Sequence, residues 1–242
     1  MLPILQIGPF ALRTPLLLTL LGLYLGISLA ERRLPKGSLS ISQLNNLVFL
    51  GLGSGLIAAR LFFALQHWSI FAQSPLSLLS LDAGLLDPWA GLTVGIFAIL
   101  IYGQRQQLSL WASLDALTPL FAVLGVFLSL AWFASGAIYG MPTELPWGLE
   151  LWGAKRHPVA LYQAIAALII LIGFWRRWGK GDYPGQVFLQ FTLATAASLL
   201  FVETWRAASP TLPGGLRTVQ SVAWLVMALC FWLLDQRAKH AV

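Results

Sequence analysis

Residues 112–137, ASLDALTPLFAVLGVFLSLAWFASGA, form one apolar block. A helix rises 1.5 Å per residue, so about 20 residues cross a hydrocarbon core of about 30 Å, and this block is long enough to span it. Working outward in both directions, comparable blocks fall at 10–30, 46–66, 88–104, 158–175, 186–205 and 216–234. The pattern predicts an all-α, polytopic membrane helix bundle of about seven transmembrane helices, in a single transmembrane domain over residues 1–242. Composition points the same way, with 58% hydrophobic and only 10% charged residues against roughly 25% charged in soluble domains. Disorder, coiled coil and a secreted disulfide scaffold are excluded. Cys230 is the single cysteine, so neither a disulfide framework nor a thiolate metal cluster can be built.

The net charge of +6 does not imply nucleic acid, because the basic residues sit in short clusters between apolar blocks. Their expected partners are anionic lipid headgroups. No Lys or Arg precedes the first apolar run and Glu31-Arg32-Arg33 follows it, so it reads as an uncleaved first helix. Positive loops stay on the cytoplasmic side. Arg32, Arg33, Lys36, Arg105, Arg176, Arg177, Lys180, Arg237 and Lys239 mark one side, and Arg13, Lys155, Arg156, Arg206 and Arg217 the other. The N-terminus is expected outside and the C-terminus in the cytoplasm, in a multi-pass protein of the cytoplasmic (inner) membrane. The longest connections, 67–87 and 138–157, then both lie outside, and the second mixes Gly and Pro with interfacial Trp residues.

Small residues recur at four-residue spacing, Gly22/Gly26/Ala30 and Gly51/Gly55/Ala59, which predicts close helix packing. Gly51, Gly53 and Gly55 sit mid-membrane with no preceding strand, so they are not a nucleotide loop. No internal repeat supports a transporter.

An ionisable residue inside a span costs at least about 2.5 kcal/mol on insertion scales and needs a partner or a purpose. Arg60 in the second span either snorkels to the headgroups or turns its fork on a phosphate. Glu203 and Arg206, three residues apart, share a helical face. They form either a structural ion pair or a device in which Glu203 orients an arginine toward a lipid phosphate. Arg156-His157-Pro158 opens the fifth span, with Tyr162 five residues after His157. The group is an interfacial cap and anchor, or a site in which His157 acts as a base near neutrality. Asp82 and Asp87 precede the third span as helix caps or as a lip facing substrate. The three histidines are dispersed, H-E-x-x-H and G-x-S-x-G are absent, and Asp82, Asp87 and Asp115 sit in unrelated contexts, so metal and serine-hydrolase chemistry are not expected.

The order of Ile7-Gly8-Pro9-Phe10-Ala11-Leu12, Glu31-Arg32-Arg33, Ala59-Arg60-Leu61, Asp82-Ala83-Gly84 with Gly91-Leu92, Ser135 to Gly140, Arg156-His157-Pro158 with Leu161-Tyr162, Val202-Glu203 with Arg206, and Gln220 resembles bacterial prolipoprotein diacylglyceryl transferases over nearly the whole chain. Arg156-His157-Pro158-x-x-Leu161-Tyr162 is the most specific piece. The resemblance implies transfer of the diacylglyceryl group of phosphatidylglycerol to the lipobox cysteine of a prolipoprotein, releasing glycerol phosphate. It implies His157, Glu203 and Arg206 as catalytic residues and Arg60, Arg156, Tyr162, Asp87 and Gly140 as substrate-binding residues. The partners are then phosphatidylglycerol and a prolipoprotein signal peptide, with no cofactor and no metal.

Four features depart from the family pattern. Trp89-Ala90-Gly91 stands where the family has His-Gly-Gly, and Leu199 where an arginine precedes the glutamate by one turn. Ser129, Ser135 and Ala137 replace arginine, asparagine and glutamate, and a first-span tyrosine falls near Pro15. These departures imply an alternative: a non-catalytic, transferase-like membrane subunit that binds lipid or packs in a larger membrane complex.

Overall fold

The computed structural model describes residues 4–7, 10–35, 37–73, 75–79 and 83–241. Lys36 and Asp82 lie outside them. The described residues are mostly helical and divide into two compact units, Ser38–Ser113 and the pair of segments Met1–Gly37 and Leu114–Val242.

Within Ser38–Ser113, α2 (Ile41–Gln66) leads through a short α3 (Trp68–Gln73) and two 3₁₀ turns to α4 (Pro88–Arg105). A capping box starts α2: Ser40 Oγ accepts from the Gln43 amide at 3.1 Å, and Gln43 Oε1 accepts from the Ser40 amide at 2.9 Å. Helices α2 and α4 cross on glycines. A Cβ on Gly55 would lie 2.9 Å from the Gly91 carbonyl oxygen, and one on Gly95 2.8 Å from that of Gly51. This backbone approach is what the Gly51/Gly55/Ala59 spacing predicts.

The other unit holds α1 (Thr14–Arg32), most of α5 (Leu110–Ser135), α6 (Val159–Phe174), α7 (Gln186–Glu203) and α8 (Thr218–Ala241). The second small-residue stripe packs α1 on α5: a Cβ on Gly22 would sit 2.5 Å from Phe127 Cβ, one on Gly26 2.7 Å from Leu120 Cδ1, and Ala30 is fully buried. Trp224, Leu225, Leu229, Phe231 and Trp232 of α8 are exposed, an apolar surface suited to hydrocarbon rather than water.

Helix α7 begins at Gly185, whose φ of 93° is free for glycine and which offers no capping side chain. Asp115 of α5 supplies the cap from another helix. Its carboxylate accepts from the Gly185 amide and, at 2.8 Å, from the Phe188 amide, so a negative charge sits on the positive end of the α7 dipole. Asp115→Ala is expected to lower stability by about 1–2 kcal/mol, the worth of a helix cap, measurable as a fall in the thermal unfolding midpoint of the detergent-solubilised protein.

Among the described residues five helices are long and apolar enough to cross a membrane, namely Thr14–Arg32, Ile41–Gln66, Leu110–Ser135, Gln186–Glu203 and Thr218–Lys239, and Val159–Phe174 is a shorter apolar helix of 16 residues. Two departures from the sequence expectation are local. The first apolar block becomes helix only at Thr14, because Phe10–Arg13 (β2) pairs antiparallel with Ile4–Ile7 (β1). The expected loop at 138–157 contains a second hairpin, Leu149–Leu151 (β3) with Ala154–Arg156 (β4). Trp152 and Gly153 turn it with φ of 55° and 74°, the two positive values that match the twist of a two-residue hairpin turn. Strands of three residues are too short to leave an alternating pattern in the sequence.

Candidate functional site

After α5, Gly136 turns the chain at a φ of 71°. Residues 139–143 then run extended between two other segments. On one side Gly140 N donates to His157 O at 3.1 Å, His157 N to Met141 O at 3.1 Å, and Thr143 N to Lys155 O at 2.9 Å. On the other, Met141 N donates to Trp205 O at 2.8 Å and Ala207 N to Tyr139 O at 3.2 Å. This three-segment ladder joins the α5–α6 connection to the chain following α7. Gly140 is at its centre, bridged to Arg206, and a Cβ there would lie 2.5 Å from His157 O and 2.6 Å from His157 Cβ. Six of the expected site residues, Gly140, Arg156, His157, Tyr162, Glu203 and Arg206, are thereby held on one scaffold.

Glu203 closes α7 and is 4% exposed. Its Oε2 lies 3.4 Å from Arg206 Nη1, its Oε1 accepts from Ser209 Oγ, and its backbone carbonyl accepts from the Arg217 guanidinium. The carboxylate is thus fully engaged, which suits it to holding Arg206 in place. Ser209 and Arg217 were not expected at the site. They reach Glu203 from further along the chain, and no motif marks them.

Arg156 ends β4. Its Nε donates to Leu151 O at 3.0 Å, its Nη1 to Gly140 O at 3.4 Å, and its guanidinium lies 5.3 Å from the centre of the Tyr139 ring. His157 follows, then Pro158 as the residue that caps α6, one position earlier than a Pro opening the helix. His157 Nδ1 is 3.2 Å from Tyr162 Oη, which also accepts from Trp147 Nε1 at 2.9 Å. The rings of His157, Tyr162 and Trp205 pack with centroids 6.0 to 6.3 Å apart.

Arg60 and Asp87 belong to the Ser38–Ser113 unit. Arg60 donates through Nε to Leu78 O at 2.9 Å, through Nη1 to Leu85 O at 2.9 Å, and through Nη2 to Ser77 O. It ties together Ser77, Leu78 and Leu85 of the two 3₁₀ turns that precede α4. Asp87 caps α4, with Oδ1 accepting from Ala90 N at 2.9 Å and Oδ2 from Gln66 Nε2 at 2.7 Å. The Ala90 amide first, and then the Gln66 side chain, hold the carboxyl below the usual aspartate range. Among the described residues no group of three His, Cys, Asp or Glu side chains could hold a metal ion.

The sequence profile described as prolipoprotein diacylglyceryl transferase matches residues 3–235. The chain belongs to the prolipoprotein diacylglyceryl transferase family. It is similar to three proteins named phosphatidylglycerol–prolipoprotein diacylglyceryl transferase. That of Synechococcus sp. (strain CC9902) is 30% identical, over 97% of this chain and 93% of the relative. That of Clostridioides difficile (strain 630) is 29% identical over 84% and 81%, and that of Synechocystis sp. (strain ATCC 27184 / PCC 6803 / Kazusa) 28% over 93% and 84%.

The residues that depart from the pattern expected of the transferase family are accommodated locally. Ser129 is buried and donates to Gly125 O at 2.7 Å. Ser135 Oγ donates to Trp132 O at 3.0 Å and accepts from Ala137 N at 3.3 Å. Trp89 is exposed in the first turn of α4. Leu199 brings no charge to α7, so the fold of this family member carries no unpaired ion at that position.

Proposed function

We propose that the protein transfers the diacylglyceryl group of phosphatidylglycerol to the lipobox cysteine of a prolipoprotein at the outer face of the cytoplasmic membrane. The observation that carries this reading is the family match over residues 3–235, with Arg156, His157, Glu203 and Arg206 on one backbone ladder. In the reaction the sulfur–carbon bond forms as the bond from the diacylglyceryl carbon to the phosphate oxygen breaks. The electron pair leaves on that oxygen as glycerol phosphate, and the proton that the thiol gives up passes through solvent to the released phosphate or to water. Charge builds on the phosphate, and fixed guanidinium donors are the groups that stabilise it. Arg206, held by Glu203, takes this role, with Arg156 as a further phosphate ligand. Tyr162 and Gly140 shape the substrate site.

The topology that fits is one transmembrane domain with seven spans, N-terminus outside and C-terminus cytoplasmic. Pro88–Arg105 and Val159–Phe174, of 18 and 16 residues, reach about 27 Å and 24 Å and complete the count beside the five helices already named. The connections 67–87 and 138–157 then share the outer side with the lipid substrate and the signal peptide.

The experiment is complementation. The chain is expressed in cells depleted of their own diacylglyceryl transferase, and a lipobox reporter is assayed by mass shift. Addition of a diacylglyceryl mass is the expected result. Absence of it from cells holding folded, inserted protein would overturn the transferase reading. That outcome would favour a non-catalytic relative that binds lipid or a membrane-protein partner, the reading that Leu199, Trp89 and Ser129 support.

A further inference from the structure

Trp147, Tyr162 and His157 form a chain of polar atoms whose proton order follows from what each atom can do. An indole N–H only donates, so Trp147 Nε1, 2.9 Å from Tyr162 Oη, donates to that oxygen. Tyr162 has one hydroxyl hydrogen to place, and His157 Nδ1 lies 3.2 Å away. Two arrangements fit these distances. In the first, Nδ1–H donates to Oη, which accepts twice, and the phenolic hydrogen is left without an acceptor among the described residues. In the second, Tyr162 O–H donates to Nδ1 and the imidazole hydrogen resides on Nε2. Each arrangement leaves one hydrogen unmatched, the phenolic one in the first and Nε2–H in the second, but only the second runs head to tail, with Oη both accepting and donating, whereas the first sets two donors on one oxygen. Donation by the indole also polarises the phenol and strengthens its own donation to the ring.

We propose that Trp147 is a positioning residue which, acting through Tyr162, fixes neutral His157 in the Nε2-protonated tautomer. With Nδ1 occupied, Nε2–H is the polar atom the ring has left, and it makes no hydrogen bond among the described residues. Resting on the transferase reading above, the ring then serves as a hydrogen-bond donor to an anionic oxygen such as that of a lipid phosphate, and not as the base that receives the thiol proton. Which ring nitrogen bears the hydrogen is set by the bond at the other, so the assignment extends to Trp147, a loop residue two positions before β3.

The test reads the tautomer directly. His67→Gln and His240→Gln leave His157 as the sole histidine of the three in the chain, and its ring is labelled with ¹⁵N in the full-length protein in detergent micelles. At a pH where the imidazole is neutral, the expected spectrum shows hydrogen on Nε2 and a bare Nδ1. Trp147→Phe keeps an aromatic ring at a residue that is 57% exposed, so the fold is retained while the N–H is lost. The variant is expected to lose the single tautomer and show both forms, and Tyr162→Phe is expected to do the same. Hydrogen on Nδ1 in the parent protein overturns the proposal. So does a Trp147→Phe spectrum identical to the parent's beside an altered Tyr162→Phe spectrum. Because no turnover is measured, failure of the lipidation assay and failure of this assignment are separate results.

Discussion

Glutamine in place of Glu203 slows diacylglyceryl transfer about 10- to 100-fold without unfolding the protein. The substitution keeps the length of the side chain and an oxygen for Ser209 Oγ, and removes only the charge facing Arg206 Nη1 at 3.4 Å. A hydrogen bond to a charged group is worth about 1.5–3 kcal/mol, and each 1.36 kcal/mol in the barrier is tenfold in rate. Arg206 is 28% exposed, so screening by solvent places the loss toward the lower end of that range. Initial rates in proteoliposomes containing phosphatidylglycerol and a lipobox peptide measure it. If Glu203 works by holding Arg206, Glu203→Gln added to Arg206→Gln causes little further loss, the non-additivity expected of residues acting as a unit. An unchanged rate for Glu203→Gln would remove this carboxylate from the site.

Gly140→Ala is the second large effect. The new Cβ would meet His157 O at 2.5 Å, His157 Cβ at 2.6 Å and Val159 Cγ2 at 2.8 Å. Two of these belong to backbone or to an atom fixed by it, so no rotamer relieves the clash. The Gly140 N–H to His157 O bond must open, and with it the ladder that holds the His157 and Arg206 segments on either side of residues 139–143. Overpacking of this kind costs about 1–3 kcal/mol, and the displaced residues are those assigned to the chemistry, so transfer falls further than stability alone would require. Gly173→Ala is the control, because nothing lies within 4 Å of its added Cβ. In the last turn of α6 it is expected to leave stability unchanged or raise it by up to about 0.5–1 kcal/mol. Thermal unfolding and transfer rates of the two variants, measured side by side, check both expectations.

The sequence disclosed the parts of this molecule that follow from local periodicity. Apolar blocks became helices, although α2 starts five residues before its expected block and α8 runs seven past the end of its own, and both small-residue stripes lie at helix crossings, Gly55 against Gly91 and Gly26 against Leu120. Asp87 next to Pro88 proved to be a helix cap. The cluster around Arg156, His157 and Tyr162 was visible because its members are neighbours in the chain. What stayed hidden was set by contacts between distant residues. Asp115 looked like an isolated carboxylate until α7 brought the amides of Gly185 and Phe188 to it. Ser209 and Arg217 are ordinary loop residues until the chain after α7 folds back on Glu203. Trp147 read as one more interfacial tryptophan, whereas its indole N–H is committed to Tyr162. Arg60 read either as snorkelling to the headgroups or as turned on a phosphate, and neither reading shows the three bonds it makes to carbonyls of the connection that follows α3.

The division of the chain into a continuous segment and a discontinuous one also bears on how it is made. Helices α2 and α4 are separated only by their own connection, so their glycine crossing can form as soon as residue 105 or so has left the ribosome and entered the bilayer. Helix α1 is made earlier still, yet its glycine face matches Phe127 and Leu120 of α5, which are synthesised only after α2 and α4. During that interval the glycine face of α1 lacks the α5 side chains that cover it in the folded protein.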